Sequence, residues 1–477
     1  MNSLPSDLRN LLEQYHQTHL IQFWDELNSE ERANLASQLA SIDFALVESV
    51  TRKLSALGSS DAGSEAAQAD RIAAAKAPAR VVRQPQSTTD LTARSVAADI
   101  GEAELRSGKV AVVTVAGGQG TRLGFNAPKG MFPIGPVSQR TLFQIFAEQI
   151  QSRRQQASAE IPWFIMTSDA THSETQRFFD EQNHFGLAPE SVVFFQQGSL
   201  PAFDAATGQI LLSSRSEIAL SPDGHGGLIA ALQNAGLLDR MKSSGIEHVF
   251  YHQVDNPTVI IADPVLIGFH TQEKSQLTTN VVCKTSPAER MGVLVDVNGR
   301  TEIIEYSELT PEQSARTDES GQWIFWAGNT AIHVFDRAFL DLLTQEGGQL
   351  PLHFARKNVP YVSSDGQTIS PEDASSPNAI KMERFIFDAL PMAKSTLIVE
   401  GNRAREFNPV KNKSGADSAD TARAALVRIG REWLAEAGHV VPDNMAVEIS
   451  PLQALTAADL RKKIESGEIQ VSDLISS

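Results

Sequence analysis

The sequence predicts an α/β protein: a doubly wound, mostly parallel sheet with an N-terminal helical region, a β insertion and a small C-terminal appendage. Three observations predict it. Apolar strand-like runs alternate with helical stretches between residues 109 and 254. A polar or glycine-dense cluster follows each run, where parallel sheets open their ligand crevice. Beyond Pro264 the alternation gives way to β-branched runs around an Asn298-Gly299 hairpin turn.

The 477 residues are 41% hydrophobic and 21% charged, a globular composition large enough for more than one domain. Boundaries are expected near residues 104 and 400. They separate a helical region with linker (1–104), a central domain (105–400) and a small terminal region (401–477). The net charge of −17 argues against coating nucleic acid or an anionic membrane, since both need a basic surface. It leaves room for a nucleotide in a local cationic pocket. Cys283 is the single cysteine, so no internal disulfide is expected, in keeping with a reducing cytoplasm. The opening residues lack a signal-peptide pattern, and no apolar run approaches the roughly 20 residues of a membrane span.

Taken in order, Leu8, Leu11, Leu12 and Tyr15 share one helical face, continued by Leu20, Trp24 and Leu27. Asn28 and Glu31 form a capping pattern for a helix over 30–39. Residues 54–89, rich in Ala, Ser, Gln and Gly, read as a loose connection. A helix over 90–105 leads to a strand at 109–115. Helices are then expected at 141–155, 173–181 and 227–241, and strands at 163–167, 191–195 and 247–254. Runs at 276–284, 292–297 and 301–306 predict an antiparallel insertion beside the site. A strand at 323–327, helices at 337–344 and 421–437, and a capped helix at 456–466 complete the chain.

Thr114–Gly130 reads TVAGGQGTRLGFNAPKG, with Gly117, Gly118, Gly120 and Gly124 framed by Arg122 and Lys129. Glycines let the backbone approach a ligand, and successive amides form an anion-binding concavity. Two cations beside them point to a polyphosphate. The spacing G-x-G-x-x-x-G matches neither the dinucleotide fingerprint nor the P-loop, which excludes two common nucleotide enzymes. Three further needs have candidates at strand ends. Gln196 offers a donor and an acceptor to a pyrimidine edge. Asp255 offers a carboxylate to a divalent cation. The loop Pro222–Gly227, PDGHGG, lets backbone groups read a base or ribose. His248, His252 and His270 lack metal-ligand spacing and read as structural.

GGQGTRLG followed by PKG resembles the signature of the UDP-sugar pyrophosphorylases, and the match extends over about residues 8–50 and 105–425. The N-acetylhexosamine branch is the most similar. The resemblance implies a Rossmann-like nucleotidyltransferase sheet binding UTP and a sugar 1-phosphate, with Mg²⁺ or another divalent cation at Asp255. It implies that Ala116, Gly117, Gly118, Lys129, Gln196 (in FQQG), Gly224, Asp255 (in VDN) and Lys381 (in IKMERF) serve the nucleotide. Glu305 and Tyr306 (in EYSEL) and Asn329 (in AGNTAIH) would serve the sugar, a buried carboxylate and amide suiting its hydroxyls and N-acetyl group, and Lys411 (in EFNPVKN) would stand at the sugar phosphate. Arg122, Lys129 and Lys381 would carry the catalytic charge. Phe23-Trp24 matches the family's N-terminal helical region. A cytoplasmic enzyme, monomer or weak dimer, is expected. His225 departs from the branch, which has asparagine there, and resembles the glucose branch. The sugar therefore stays open between N-acetylglucosamine, glucose and several sugars, and a non-catalytic nucleotide-sugar binder remains the alternative of another class.

Overall fold

The computed structural model describes residues 4–57, 61–345, 350–371 and 377–476. The chain folds into two compact units built from interleaved segments, where the sequence suggested three consecutive regions. The smaller comprises Met1–Ala73, Gly198–Gly227 and Leu350–Ile386; the larger comprises Ala74–Gln197, Leu228–Gln349 and Phe387–Ser477.

In the larger unit the main sheet contains β1 (Val81–Val82), β2 (Val110–Val115), β3 (Trp163–Thr167), β4 (Val192–Gln196), β5 (His248–Gln253) and β6 (Leu277–Cys283). It continues with β7 (Val293–Val297), β8 (Arg300–Ile304), β9 (Ala327–Asp336) and β10 (Thr396–Glu400). The order is β1-β10-β6-β9-β5-β2-β3-β4. Along this order pairings are parallel except where β9 runs antiparallel between β5 and β6; off it, β7 pairs antiparallel with both β8 and β9. The carboxyl ends of β2 to β6 and β10 therefore share one edge, and β9 begins there.

The buried strands read as continuous apolar runs because helices cover both faces. Thr114, fully buried in β2, is one of several polar exceptions. It accepts from Trp163 Nε1 at 2.8 Å and donates to His252 Nε2 at 2.7 Å, while His252 Nδ1 faces the Gln253 carbonyl at 3.1 Å. Burial drives His252 down to about 4, so it stays neutral and structural, as read.

Several elements differ from expectation. The stretch 54–89 holds a helix, Asp61–Ala74, and the edge strand β1; positions 58–60 lie outside the described residues. Alanine carries little entropic cost in a helix, so low complexity there does not mean loop. The expected helix over 227–241 is two, Leu228–Asn234 and Leu237–Ser243, parted at Gly236 with φ +66°. The strand placed at 323–327 starts at Ala327 and runs on for ten residues. Of the expected insertion, β7 and β8 form the hairpin, but β6 belongs to the main sheet. After β10 come helices Ala419–Glu436 and Ala457–Glu465, packed around Leu434, Val447, Leu460 and Leu474.

In the smaller unit the N-terminal helices bury Leu12, Trp24, Leu35 and Val47 against Phe203, Ile210, Ile380 and Met382. The aromatic stripe at Phe23 and Trp24 is core. Strand Ala379–Glu383 pairs with His353–Lys357 and with Phe203-Asp204.

Candidate active site

The glycine loop leaves β2 at the shared edge and folds back on itself. Lys129 N–H donates to the Gly118 carbonyl at 3.0 Å, and Gly120 N–H to that of Ala127 at 2.9 Å. Of its four glycines only Gly124 has a left-handed φ, +74°. The others answer to space. A Cβ on Gly117 would lie 2.8 Å from Gln197 Oε1, one on Gly120 2.8 Å from Phe125, whereas one on Gly118 would meet nothing within 4 Å. Among the described residues the consecutive amides of Gly117, Gly118 and Gln119 have no acceptor in the protein. Arg122 is exposed and Lys129 half-buried, and neither side chain has an acidic partner among the described residues. Three open N–H groups and two unpaired cations make an anion site.

Neighbouring strand ends hold this loop. Ala116 N–H donates to the Met166 carbonyl at 2.7 Å, and Ser168 Oγ to that of Gly117 at 2.8 Å. Gln197 N–H reaches the Thr167 carbonyl at 2.9 Å, setting Gln196 exposed at the end of β4. Asp255 follows β5, half-buried, and its carboxylate has no donor among the described residues.

The segment after β10 brings lysines to the same edge. Val410 N–H donates to the Asp255 carbonyl at 2.7 Å. Asn256, buried, donates through Nδ2 to the Glu406 carbonyl at 2.7 Å and accepts from Asn408 N–H at 3.2 Å. Lys411 follows directly, its ammonium 5.7 Å from the Phe407 ring. Lys413, which the sequence reading passed over, lies across Gly124: its Cδ and Cε are 3.7 Å from where a Cβ there would stand. The signal was a second lysine two residues beyond the matched one.

Glu305 and Asn329 both stand beside Gly292. Asn329 N–H donates to the Gly292 carbonyl at 2.9 Å, and a Cβ on Gly292 would lie 2.7 Å from Glu305 Oε1. A register irregularity in β6 opposite β9 shapes this corner. The expectation of a buried set is corrected: Glu305 and Asn329 are half-buried and Tyr306 is 45% exposed. β8 ends before Glu305 and Tyr306, so those two stand on its outgoing turn, while Asn329 lies in β9.

In the smaller unit the PDGHGG loop is wedged against the strand that carries Lys381. Gly224 has φ +84°, and a Cβ on it would sit 2.5 Å from the Arg384 carbonyl. Gly226 N–H donates to that carbonyl at 2.8 Å. His225 accepts the Ile386 amide hydrogen at Nδ1, 3.1 Å away, and stacks on Phe385 at 5.4 Å. Its neutral form therefore carries the proton on Nε2. Asp223 is buried, which raises its carboxyl to about 6 against the opposing pull of Arg384. Ile380 and Met382 point into the core, so period-2 alternation turns Lys381 the other way, half-buried.

Elsewhere, Glu104, Glu247 and His248 gather within metal-ligand reach, which their spacing did not suggest. Lys109 Nζ stands 3.3 Å from both carboxylates and offsets one of their two charges.

The family profile described as UTP–glucose-1-phosphate uridylyltransferase matches residues 65–452. UDP-N-acetylhexosamine pyrophosphorylase-like protein 1 of Mus musculus is 38% identical over 93% of this chain and 88% of its own length. UDP-N-acetylglucosamine pyrophosphorylase of Saccharomyces cerevisiae is 39% identical over 74% of this chain and 75% of its own. The crystal structure of the Trypanosoma brucei uridine diphosphate N-acetylglucosamine pyrophosphorylase superposes with a TM-score of 0.80 at 27% identity, covering 97% of this chain and 96% of that one.

Proposed function

The chain belongs to the UTP–glucose-1-phosphate uridylyltransferase family, and from that premise we infer that it transfers UMP from UTP to N-acetylglucosamine 1-phosphate, releasing pyrophosphate. The observation that carries the reading is the run of open amides at Gly117–Gln119 beside two cations without acidic partners. A phosphate oxygen of the sugar 1-phosphate attacks the α-phosphorus of UTP. The bond from that phosphorus to the bridging oxygen breaks, and pyrophosphate leaves with the electron pair. No protein nucleophile is required; positioning and charge neutralisation lower the barrier.

Arg122 and Lys129 hold the triphosphate in this reading, with the Ala116–Gly118 backbone around it. Gln196 and the Gly224 backbone read the base. Lys381 and Lys411 meet the reacting phosphates, and Glu305, Tyr306 and Asn329 meet the sugar. Asp255, a strand-end carboxylate without a donor among the described residues, suits a hard cation completed by phosphate oxygens and water. Bound there, Mg²⁺ would neutralise phosphate charge. Among the described residues no helix is long and apolar enough to cross a membrane. We place the reaction in the cytoplasm, in keeping with the single cysteine.

His225 favours a second reading, in which glucose 1-phosphate is also accepted. Its Nδ1 accepts from the Ile386 amide, so a neutral ring carries its proton on Nε2 where the branch has an amide. Pyrophosphate release from UTP and Mg²⁺ with N-acetylglucosamine, N-acetylgalactosamine, glucose and galactose 1-phosphates separates the readings. The expected order puts N-acetylglucosamine first, and His225→Asn should widen its lead over glucose. UTP binding without pyrophosphate release from any of the four would leave a nucleotide-sugar binder.

A further inference from the structure

In the larger unit, a cavity of about 260 Å³ lies between the helix at 142–157 and the C-terminal helices. Ile145, Val259, Ile429, Trp433 and Leu455 give it apolar walls. Three arginines also line it. Arg140 is engaged by Glu148 at 2.8 Å and Glu448 at 3.3 Å, and Arg405 by Glu432 at 3.2 Å and by Glu436. Arg153 differs. It is 7% exposed, and its bonds are two long ones, Nε to the Ile261 carbonyl and Nη1 to Gln156 Oε1, both 3.4 Å. Its Nη2 has no acceptor among the described residues. Asp263, Glu102 and Asp459 temper its charge from a distance, yet none forms an ion pair with it among the described residues.

A buried guanidinium with unused donors is costly, and a carboxylate relieves that cost by accepting two parallel hydrogen bonds. One unpaired cation suits a monoanion better than a phosphate. The apolar walls demand a hydrocarbon body. We infer that this cavity is a second binding site, for a small amphipathic carboxylate. It adjoins the loop that begins at Asp255, since Val259 belongs to that loop, but it contains none of the residues assigned to the nucleotide.

Calorimetric titration of the full chain with octanoate, octan-1-ol and octylammonium tests the inference. Octanoate should bind at least tenfold more tightly than the alcohol, and octylammonium should not bind. Arg153→Met should erase the advantage of the acid. Ile429→Trp, which fills the cavity and leaves the guanidinium in place, should abolish binding of both. Equal affinity for acid and alcohol, no octanoate binding up to its solubility limit, or unchanged octanoate affinity in either variant would overturn it.

Discussion

The carbonyl of Asp255 accepts the amide hydrogen of Val410 at 2.7 Å, tying the end of β5 to the segment that delivers Lys411. Asn256 doubles the tie through the Glu406 carbonyl and the Asn408 amide. Asn256→Ala leaves both groups without their partner and frees the segment to drift from the edge. Turnover should fall by about 10- to 100-fold, as when an outer-shell partner of a ligating carboxylate is lost. Stability should drop by about 1–3 kcal/mol. Steady-state kinetics beside urea denaturation checks both.

Arg122 is exposed on a turn and holds nothing in the fold together. Arg122→Ala should therefore leave the thermal midpoint unchanged while turnover falls by roughly 10²–10³. Wild-type turnover in this variant would remove Arg122 from the mechanism.

Two glycines should fail in opposite ways. A Cβ on Gly130 would sit 2.1 Å from Phe143 in the core, so Gly130→Ala should cost about 1–3 kcal/mol or more of stability. A Cβ on Gly118 meets nothing within 4 Å, so Gly118→Ala should fold normally. By standing in the space through which a phosphate would reach the amides, it should weaken UTP by about 10- to 100-fold, the worth of one hydrogen bond to a charged group kept from forming. Thermal midpoints and UTP titration distinguish the two.

Burial, reinforced by nearby Asp263, raises the Glu406 carboxyl from 4.5 to about 7. The folded chain thus holds this proton more tightly than the unfolded one. Its stabilising contribution is complete below pH 4.5 and lost as pH rises through about 7. Glu406→Gln should flatten the pH dependence of stability across that window, by up to about 3 kcal/mol. Urea midpoints between pH 4.5 and 8 measure it.

The strand-end placement of the glycine loop, Gln196 and Asp255 was legible because apolar runs and the polar residues that close them are local properties. The strands β2 to β5 were legible for the same reason, each being built on a short, mostly apolar run. Partner choice is not local. β6 alternates like an insertion strand, and only its pairing with β9 and β10 puts it in the main sheet. β9 opens with Ala-Gly-Asn-Thr, whose polar start masks ten residues of strand. Lys413 was invisible as a site residue because only the fold lays it across Gly124. The posture of His225 depended on the Ile386 amide, 161 positions away.

The core of the smaller unit joins Leu12, Leu35 and Val47 to Ile380 and Met382. A ribosome makes the helices first and the strand more than three hundred residues afterwards. At cellular elongation speeds that interval lasts roughly tens of seconds. Throughout it, a greasy helical face protrudes into a crowded milieu, and its burial waits on the clock of translation.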